Sequence, residues 1–303
     1  MDDAQIFYDI ETALKNPDAV SKLDLHYKDL KEIPKNISKL TNLTELYIWN
    51  NQISELPEYF FELKSLKKID FSGNRLTQIP SSIEKLENLE VLILSWNQIK
   101  ELPKEIGNLK NIKILGLGHN EISTLPNEIC NLQTLKELIV YENPLLSLPE
   151  SIGQLKALKI LTVCGCYIKR LPDSIVELSN LEKLEIHQNH IDVLPENIGK
   201  LKKLEKLRAY NNILITLPEG ICELENLTKL VLYKNELTSF PQNIGRLEKL
   251  TELNLNSNEL SDLPESIQNL KKLKTINLGR NQFSKEERVK IQSLLQHTSI
   301  SWS

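Results

Sequence analysis

Apolar residues recur along the chain in a pattern that repeats every 23 positions. The stretch LENLEVLILSWNQIKELPKEIGNL shows one unit, whose general form is LxxLxLxxNxIxxLPxxIxxLxx. Eleven of the 13 prolines share one slot, at positions 34, 57, 80, 103, 126, 149, 172, 195, 218, 241 and 264. Full units begin at Val20, Leu43, Leu66, Leu89, Ile112, Leu135, Leu158, Leu181, Leu204, Leu227 and Leu250, and a truncated twelfth begins at Leu273. The constant spacing predicts a stack of equivalent structural units.

Each unit predicts a short strand followed by a tight helical turn. Positions 4 and 6 are apolar and alternate with variable residues, as Leu92 and Leu94 do around Ile93, which is typical of a strand with one buried face. Pro103 and Ile106 are three residues apart, a spacing that favours a 3₁₀ or short helical turn with proline at its start. Strands stacked in register form a parallel sheet and a continuous core. Because the strand side is narrower than the turn side, we expect a curved stack with the sheet on its concave face.

Position 9 of the unit is asparagine in ten of the twelve units: Asn51, Asn74, Asn97, Asn120, Asn143, Asn189, Asn212, Asn235, Asn258 and Asn281. The exceptions are Lys28 and Cys166. The chain turns at this position, so buried backbone N–H and C=O groups there need partners. A side-chain amide has both donors and acceptors, and we therefore predict a structural ladder of asparagines between neighbouring turns.

The two ends predict caps on a single array. We expect an N-terminal capping helix within residues 1–19, the repeat array over 20–283 and a C-terminal cap over 284–303. Ile6, Ile10 and Leu14 fall on one helical face, and Pro17 ends that helix. Ser284 and Glu287 have capping-box spacing for a helix of roughly 285–296. The residues expected to cover the last unit are Val289, Leu294 and Leu295, followed by an extended tail at 299–302.

Composition and charge narrow the function classes. The chain has 303 residues, 40% of them hydrophobic and 26% charged, with 37 basic and 41 acidic residues and a net charge of −4. This balance implies neither a nucleic-acid nor an anionic-membrane partner. No apolar run is long enough for a membrane-spanning helix. The acidic N-terminus does not resemble a signal peptide, which predicts a cytoplasmic chain, or a secreted or cell-surface chain if a leader has been removed.

The repeat resembles the leucine-rich repeat family, in its 23-residue LPxxIxxL class. That class occurs in bacterial surface or effector proteins and in intracellular scaffolds. The segments ALKNP and NQFSKEER make the chain most similar to spirochaetal proteins of consecutive 23-residue units. The resemblance implies an α/β fold, a leucine-rich repeat solenoid shaped like a horseshoe, with the parallel sheet on the concave face and 3₁₀ or short helical turns on the convex face. It also implies a non-catalytic protein-binding module.

The variable strand positions define the candidate partner-binding site. Once the consensus residues are assigned to the core, positions 3, 5 and 7 face out of the concave sheet, with position 8 at its rim. The predicted contact residues are Trp49, Val91, Ile93, Trp96, Ile114, Ile139, Tyr141, Thr162, Glu185, His187, Arg208, Tyr210, Val231 and Tyr233. Tyrosine, tryptophan and arginine are enriched at interface hot spots, and a contiguous exposed apolar patch with a polar surround is typical of an interaction site.

Two alternatives remain open for this face. The apolar run Val91, Ile93, Ile114, Ile139 and Ile160 is a contact surface, or it reflects only the general preference of branched residues for strands. The row Lys183, Lys206 and Lys229 could attract an acidic partner, but neighbouring glutamates favour a solvated face.

Catalytic and metal-binding chemistry finds little support in the sequence. Cys164 and His187 share the same outward slot on adjacent strands, which is the pairing used in cysteine nucleophiles and zinc sites. An incidental placement is favoured, since no oxyanion site or substrate cleft accompanies the pair. No phosphate loop, HExxH or GxSxG motif occurs. We therefore expect no enzyme activity, no cofactor and no metal.

The leading functional prediction is recognition of a protein partner through the concave face. By resemblance to bacterial relatives, that partner is a host protein used in attachment or immune interference. The alternatives are an intracellular scaffold or regulator of signalling, and a self-associating solenoid. We expect a monomer, with self-association left open.

A glycine recurs in one slot of alternate units. The residues are Gly107, Gly153, Gly199 and Gly245, with Cys130, Val176, Cys222 and Gln268 in the units between them. This pattern indicates either a duplication of 46 residues or alternating packing on the outer face.

Overall fold

The computed structural model describes residues 5–303, which divide into two compact units at the Leu145–Leu146 boundary. In the first unit, seven short strands alternate with helical turns. The strands are β1 (Ile6–Phe7), β2 (Lys22–Asp24), β3 (Glu45–Tyr47), β4 (Lys68–Asp70), β5 (Val91–Ile93), β6 (Ile114–Gly116) and β7 (Glu137–Ile139). Each pairs in parallel with the next along the chain, from β1 to β7.

The second unit has the same architecture. Its strands are β8 (Ile160–Thr162), β9 (Lys183–Glu185), β10 (Lys206–Arg208), β11 (Lys229–Val231), β12 (Glu252–Asn254), β13 (Thr275–Asn277) and β14 (Ser299–Ser301). Neighbours pair in parallel from β8 to β14. Residues 23 positions apart face each other, as Leu207 does with Leu230. The register predicted from the repeat is thus confirmed in both units.

The core lies on one side of each sheet. Leu92 and Leu94 are fully buried, whereas Ile93 between them is only half-buried. Apolar residues at positions 4 and 6 have almost no exposed surface in the other repeats too. Position 5 between them is half-buried in most strands, but Gly116, Glu185 and Val231 are buried there. Burial of the consensus leucines against the next repeat is the main stabilising contribution, because no single three-residue strand could cover them.

The second half of each repeat is a 3₁₀ turn, as the three-residue spacing predicts. In the first unit these turns span Pro17–Ala19, Lys35–Lys39, Glu58–Glu62, Ser81–Lys85, Lys104–Asn108 and Asn127–Asn131; in the second they span Ile152–Gln154, Asp173–Glu177, Ile198–Lys200, Glu219–Glu223, Ile244–Arg246 and Glu265–Asn269. The Ile106 N–H donates to the Pro103 carbonyl at 3.0 Å, and the Leu109 N–H donates to the Ile106 carbonyl at 3.2 Å. These i to i+3 bonds define the turn and place Ile106 in the core.

The asparagines of position 9 hydrogen-bond to the backbone of two successive repeats. Asn97 is representative, because its Oδ1 accepts from the Leu76 N–H at 2.9 Å while its Nδ2 donates to the Phe71 and Leu94 carbonyls, each at 3.0 Å. At the first turn, where Lys28 replaces asparagine, Asn51 Oδ1 accepts from the Lys28 N–H. Each amide therefore completes the turn of the preceding repeat.

The residue before each asparagine has a left-handed backbone. This slot has positive φ throughout, from 50° at Tyr27 to 65° at Gly73. Trp96 has φ of 60° there, a conformation that bulky side chains rarely adopt. This conformation therefore belongs to the turn that ends each strand, whichever residue occupies the slot.

The N-terminal segment differs from the expected single helix. Ile6 lies in β1, paired with Lys22 of β2, and helix α1 spans only Ile10–Ala13. The Asp9 side chain accepts from the Thr12 N–H at 2.6 Å and so caps the helix start. Residues 1–4 of the predicted cap lie outside the described residues. Pairing with the open edge of β2 satisfies backbone groups that a helix would leave exposed.

The C-terminal segment follows the prediction with one correction. Helix α2 spans Lys285–Leu294, and the Ser284 hydroxyl accepts from the Glu287 N–H at 3.1 Å. Of the residues expected to cover the last repeat, Leu295 is buried and Leu294 half-buried, but Val289 is 65% exposed. Ile291, which was not predicted, is buried instead of Val289. The extended tail is β14. No helix within residues 5–303 has the length and apolar content to cross a bilayer.

The alternating glycines have a packing role. A Cβ added to Gly107 would lie 2.3 Å from the Glu128 carbonyl oxygen, and one on Gly153 would lie 2.1 Å from the Ser174 oxygen. Gly199 and Gly245 meet the same obstacle in their following repeats. The backbone of the next turn therefore approaches closely at every second repeat, which supports the packing interpretation of this pattern.

Candidate protein-binding face

The sheet face is the surface formed by strand positions 3, 5 and 7, with position 8 at its rim. Adjacent strand residues point to opposite sides, so burial of positions 4 and 6 directs positions 3 and 5 away from the core. Parallel strands lie about 4.8 Å apart, and equivalent residues of neighbouring repeats therefore form rows across the sheet.

In the first unit, four half-buried aliphatic residues form an apolar cluster on the sheet face: Val91, Ile93, Ile114 and Ile139. Val91 faces Ile114 across β5 and β6, while Ile93 and Ile139 both pair with Gly116. A Cβ on Gly116 would lie 3.1 Å from Ile93 Cδ1, so the isoleucine side chain covers the glycine. The cluster is continuous across three strands.

Beside the apolar cluster, three rings form the Trp96 group, made of Trp96, His119 and Tyr141. Trp96 is 57% exposed and stacks on His119, with ring centroids 3.5 Å apart. His119 meets Tyr141 edge-on at 5.0 Å. The tyrosine ring lies directly over Gly118, where an added Cβ would be 2.3 Å from it. The absence of a side chain at Gly118 thus makes room for this ring.

A second aromatic group lies nearer the N-terminus of the first unit. Trp49 stacks on His26 with centroids 4.3 Å apart and planes 2° from parallel, and Tyr27 meets Trp49 edge-on at 4.9 Å. The His26 ring nitrogen also hydrogen-bonds to the Asp24 carboxylate, which orients the imidazole. Trp49 is half-buried in this arrangement and Tyr27 is exposed.

In the second unit, an aromatic row runs across β9, β10 and β11 at position 7, formed by His187, Tyr210 and Tyr233. The His187–Tyr210 and Tyr210–Tyr233 centroids are 4.1 and 4.3 Å apart, with nearly parallel rings. Burial lowers the pKa of His187 below its ordinary value and raises the pKa of Tyr210 to about 12. His187 is therefore neutral near pH 7, and the row presents uncharged rings.

Next to the aromatic row, Glu185 is the acceptor for two cations. Its Oε1 lies 3.0 Å from Lys183 Nζ and 3.0 Å from Arg208 Nη1, and the Thr162 hydroxyl donates to Oε2 at 3.4 Å. Glu185 is only 7% exposed. A buried carboxylate requires such pairing because its desolvation would otherwise be costly.

Most of the predicted contact residues are accessible, with two differences from expectation. Glu185 is buried by its ion pairs, and Val231, only 5% exposed, is covered by its neighbours on the sheet. Thr162 and Arg208 are half-buried. His26, Tyr27 and His119 join the aromatic groups of this face but are not among the predicted contact residues. Tyr27 and His119 could have been found from the sequence because both occupy position 8 of their repeats. The sequence pattern predicts that this position lies only at the rim of the sheet face.

Cys164 and His187 occupy the same position of adjacent repeats on the sheet face. Cys164 is half-buried, and His187 Nδ1 hydrogen-bonds to Gln188 Oε1 at 3.1 Å. Within the part of the chain that the structure describes, no three histidine, cysteine or acidic side chains come together as metal ligands. The buried Cys130 and Cys222 thiols have pKa values raised by burial to about 11 and 12, which keeps them protonated.

Comparison with known proteins identifies the family. Residues 41–99 and 224–283 match a model described as leucine rich repeat, and residues 141–230 match one described as leucine-rich repeat region. No curated protein matches the chain. A leucine-rich repeat protein of Leptospira interrogans is 30% identical over 98% of this chain and 100% of that chain, with a TM-score of 0.54.

Two further structures resemble the fold closely. An internalin of Listeria monocytogenes is 25% identical, covering 95% of this chain and 82% of its own, with a TM-score of 0.84. An Arabidopsis thaliana membrane receptor kinase ectodomain, solved in complex with Casparian strip integrity factor 2, is 27% identical with a TM-score of 0.75. The match covers 98% of this chain but 40% of that ectodomain, so the chain spans less than half of it. Together with the repeat architecture and the full-length Leptospira similarity, these matches show that the chain belongs to the leucine-rich repeat family.

Proposed function

We propose that this protein is a non-catalytic recognition module that binds a partner protein through the sheet face. The family, and the receptor and internalin structures that share its fold, support protein binding in general. The observation that carries the proposal is the Trp96 group beside the apolar cluster. The tryptophan is 57% exposed and stacked on His119, and tryptophan and tyrosine are enriched at interface hot spots. The four half-buried aliphatic side chains come from the same three repeats and add an apolar surface of the kind that marks interaction sites.

The partner class proposed is a host protein engaged by a bacterial surface or secreted protein, in attachment or immune interference. The similarity to the Leptospira protein and to a Listeria internalin supports this choice. Protein capture from host and bacterial lysates, with identification by mass spectrometry, tests it. Specific capture from bacterial lysate alone would contradict the host assignment.

The face is tested by comparing variants in the same capture experiment. Ile93→Asp combined with Ile139→Asp places two charges in the apolar cluster and should abolish binding, while the circular dichroism spectrum stays unchanged. Trp96→Ala removes an exposed side chain with little effect on folding and should weaken binding strongly. The matched control is Ile215→Asp, because Ile215 is 52% exposed but lies outside the sheet face.

Two outcomes would contradict the proposal. Capture that survives both the double variant and Trp96→Ala would exclude the sheet face of the first unit. A dimer in light scattering that becomes monomeric in the double variant would show that the cluster contacts a second copy of the chain.

A further inference from the structure

The sheet face of the second unit differs in charge from that of the first. Positions 3, 5, 7 and 8 of the second unit have six basic residues, Lys183, Lys206, Arg208, Lys229, Lys234 and Arg280, against two acidic ones, Glu185 and Glu252. The same positions of the first unit have two basic residues, Lys22 and Lys68, against five acidic ones, Asp24, Glu45, Asp70, Glu137 and Glu142. The chain as a whole carries −4, so the basic surface is local.

Three of these lysines lie directly opposite one another. Lys206 of β10 faces Lys183 of β9 on one side and Lys229 of β11 on the other. Like charges in directly opposed strand positions repel and destabilise the sheet. The two outer lysines are neutralised, Lys183 by Glu185 at 3.0 Å and Lys229 by Glu252 at 2.7 Å.

The central lysine has no such neutralisation. Lys206 is exposed and makes no ion pair or side-chain hydrogen bond with any residue from 5 to 303. Glu185 does not neutralise Lys206, because its Oε1 already forms ion pairs with Lys183 and Arg208. Glu205, which precedes β10, forms no ion pair with it among the described residues. Lys206 is therefore a cation between two cations, with room for an external anion.

We propose that the sheet face of the second unit binds an acidic segment of a partner polypeptide, with a carboxylate on Lys206 and apolar or aromatic side chains against the aromatic row. This inference rests on the proposed function and names the chemistry of the partner. The row lies at position 7 of the same strands that carry the lysines at position 3, so one extended segment contacts both. The stacked rings provide apolar contact area for the partner, while the lysines on the same strands select for its negative charge.

A polypeptide fits this surface better than a nucleic acid does. Tyr210 has both ring faces occupied, by His187 and by Tyr233, which leaves no free face in the middle of the row for base stacking.

The test uses the full chain and a fluorescein-labelled peptide of alternating glutamate and tyrosine, followed by fluorescence anisotropy. The reference probe has glutamine in place of glutamate. We expect tighter binding of the glutamate peptide, with an affinity that falls as salt is raised towards about 0.15 M. Lys206→Gln should weaken binding about fivefold, the upper value for one exposed ion pair, and Lys206→Glu about 25-fold because repulsion replaces attraction. Lys272→Glu is the control, since Lys272 is exposed outside the sheet face.

Three results would overturn the inference: equal binding of the two peptides, equal effects of Lys206→Glu and Lys272→Glu, or tighter Lys206-dependent binding of a thymidine oligonucleotide. If the peptide fails to bind while protein capture still depends on Ile93 and Ile139, the acidic-segment inference is wrong and the proposed function stands. If the peptide binds in a Lys206-dependent manner while no captured protein depends on the apolar cluster, the first-unit site is wrong instead.

Discussion

Trp96 stacks on His119 with their ring centroids 3.5 Å apart and their planes inclined by 21°. The tryptophan makes this contact from a left-handed backbone, with φ of 60°. Equivalent slots hold Gly73 and Gly165, which adopt the conformation without strain. A large exposed ring at a position that favours glycine adds little to folding, and this supports a role in binding.

Two replacements of Trp96 distinguish the strain of its backbone conformation from the contacts of its ring. Trp96→Gly and Trp96→Ala both remove the stack, but only glycine accepts the positive φ freely. We expect the glycine variant to be more stable than the alanine variant by about 1 kcal/mol in urea denaturation. Gly73→Ala is the converse control, because its new Cβ would lie 2.0 Å from Asn50 Oδ1 and should destabilise the protein. Equal stability of the two residue-96 variants would contradict the strain.

The asparagine ladder predicts that Asn97→Ala lowers the free energy of unfolding much more than Asn111→Ala does. Asn97→Ala leaves the buried Leu76 N–H without its acceptor, while the Phe71 carbonyl keeps the second bond from Asn74 Nδ2, and the variant should lower the free energy of unfolding by about 2 kcal/mol. Asn111 is exposed and donates one bond to the Glu87 carbonyl at 2.9 Å, so its alanine variant should lose under about 1 kcal/mol. Similar urea midpoints for the two variants would show that the ladder is not stabilising.

The backbone of the next repeat lies so close to Gly107 that adding even one methyl group at this position should destabilise the protein. In Gly107→Ala, the Cβ would be 2.3 Å from the Glu128 carbonyl oxygen, so the neighbouring turn has to shift at a cost of about 2 kcal/mol. Cys130→Ala, in the same slot of the next repeat, only removes a buried sulfur and should cost about 1 kcal/mol or less. Thermal denaturation of both variants measures the difference. A larger loss in the cysteine variant would contradict the packing role.

The lowered pKa of His187 predicts a pH-dependent loss of stability. As the pH falls below the ordinary value of 6.5, the unfolded chain takes up a proton before the folded chain does. The free energy of unfolding therefore decreases until the pH passes the folded-state pKa, below which the difference is constant. His187→Phe keeps the stack on Tyr210 and cannot titrate. Denaturation over a pH series should show wild type losing stability relative to this variant across that window. A difference independent of pH would contradict the burial of the imidazole.

The regular repeat made the fold predictable from sequence. Apolar residues recur in register at the positions of Leu92 and Leu94 in every repeat, so their burial follows from strand alternation and stacking. The caps were less predictable because they occur once: Ile6 joins the sheet at its open edge, and Ile291 takes the place expected for Val289. Helical periodicity is a local pattern of the sequence. It therefore does not reveal that the edge of a nearby strand competes for the backbone hydrogen bonds of the same residues.

The exposed positions of the sheet face were more predictable than the contacts of their side chains. Strand alternation placed Ile93 and Tyr141 on the sheet face, but Glu185 is buried among partners that include Thr162 and Arg208, each 23 residues away. His119 was omitted because its stacking on Trp96 depends on a left-handed turn, which the sequence pattern alone does not specify. The side-chain contacts between repeats could therefore not be predicted from the sequence pattern.

The direction of the asparagine bonds gives the array a polarity. Each asparagine amide bonds to the turn of the preceding repeat, as Asn97 does through the Leu76 N–H and the Phe71 carbonyl. Truncation on the carboxy-terminal side of a repeat therefore removes the acceptor of a buried N–H such as that of Leu76. Truncation on the amino-terminal side frees a different set, because the Glu90 and Val91 N–H groups donate to the Lys67 carbonyl of the preceding repeat. A design that removes whole repeats therefore has to supply a replacement cap on whichever side it cuts, and the two replacements have to be different.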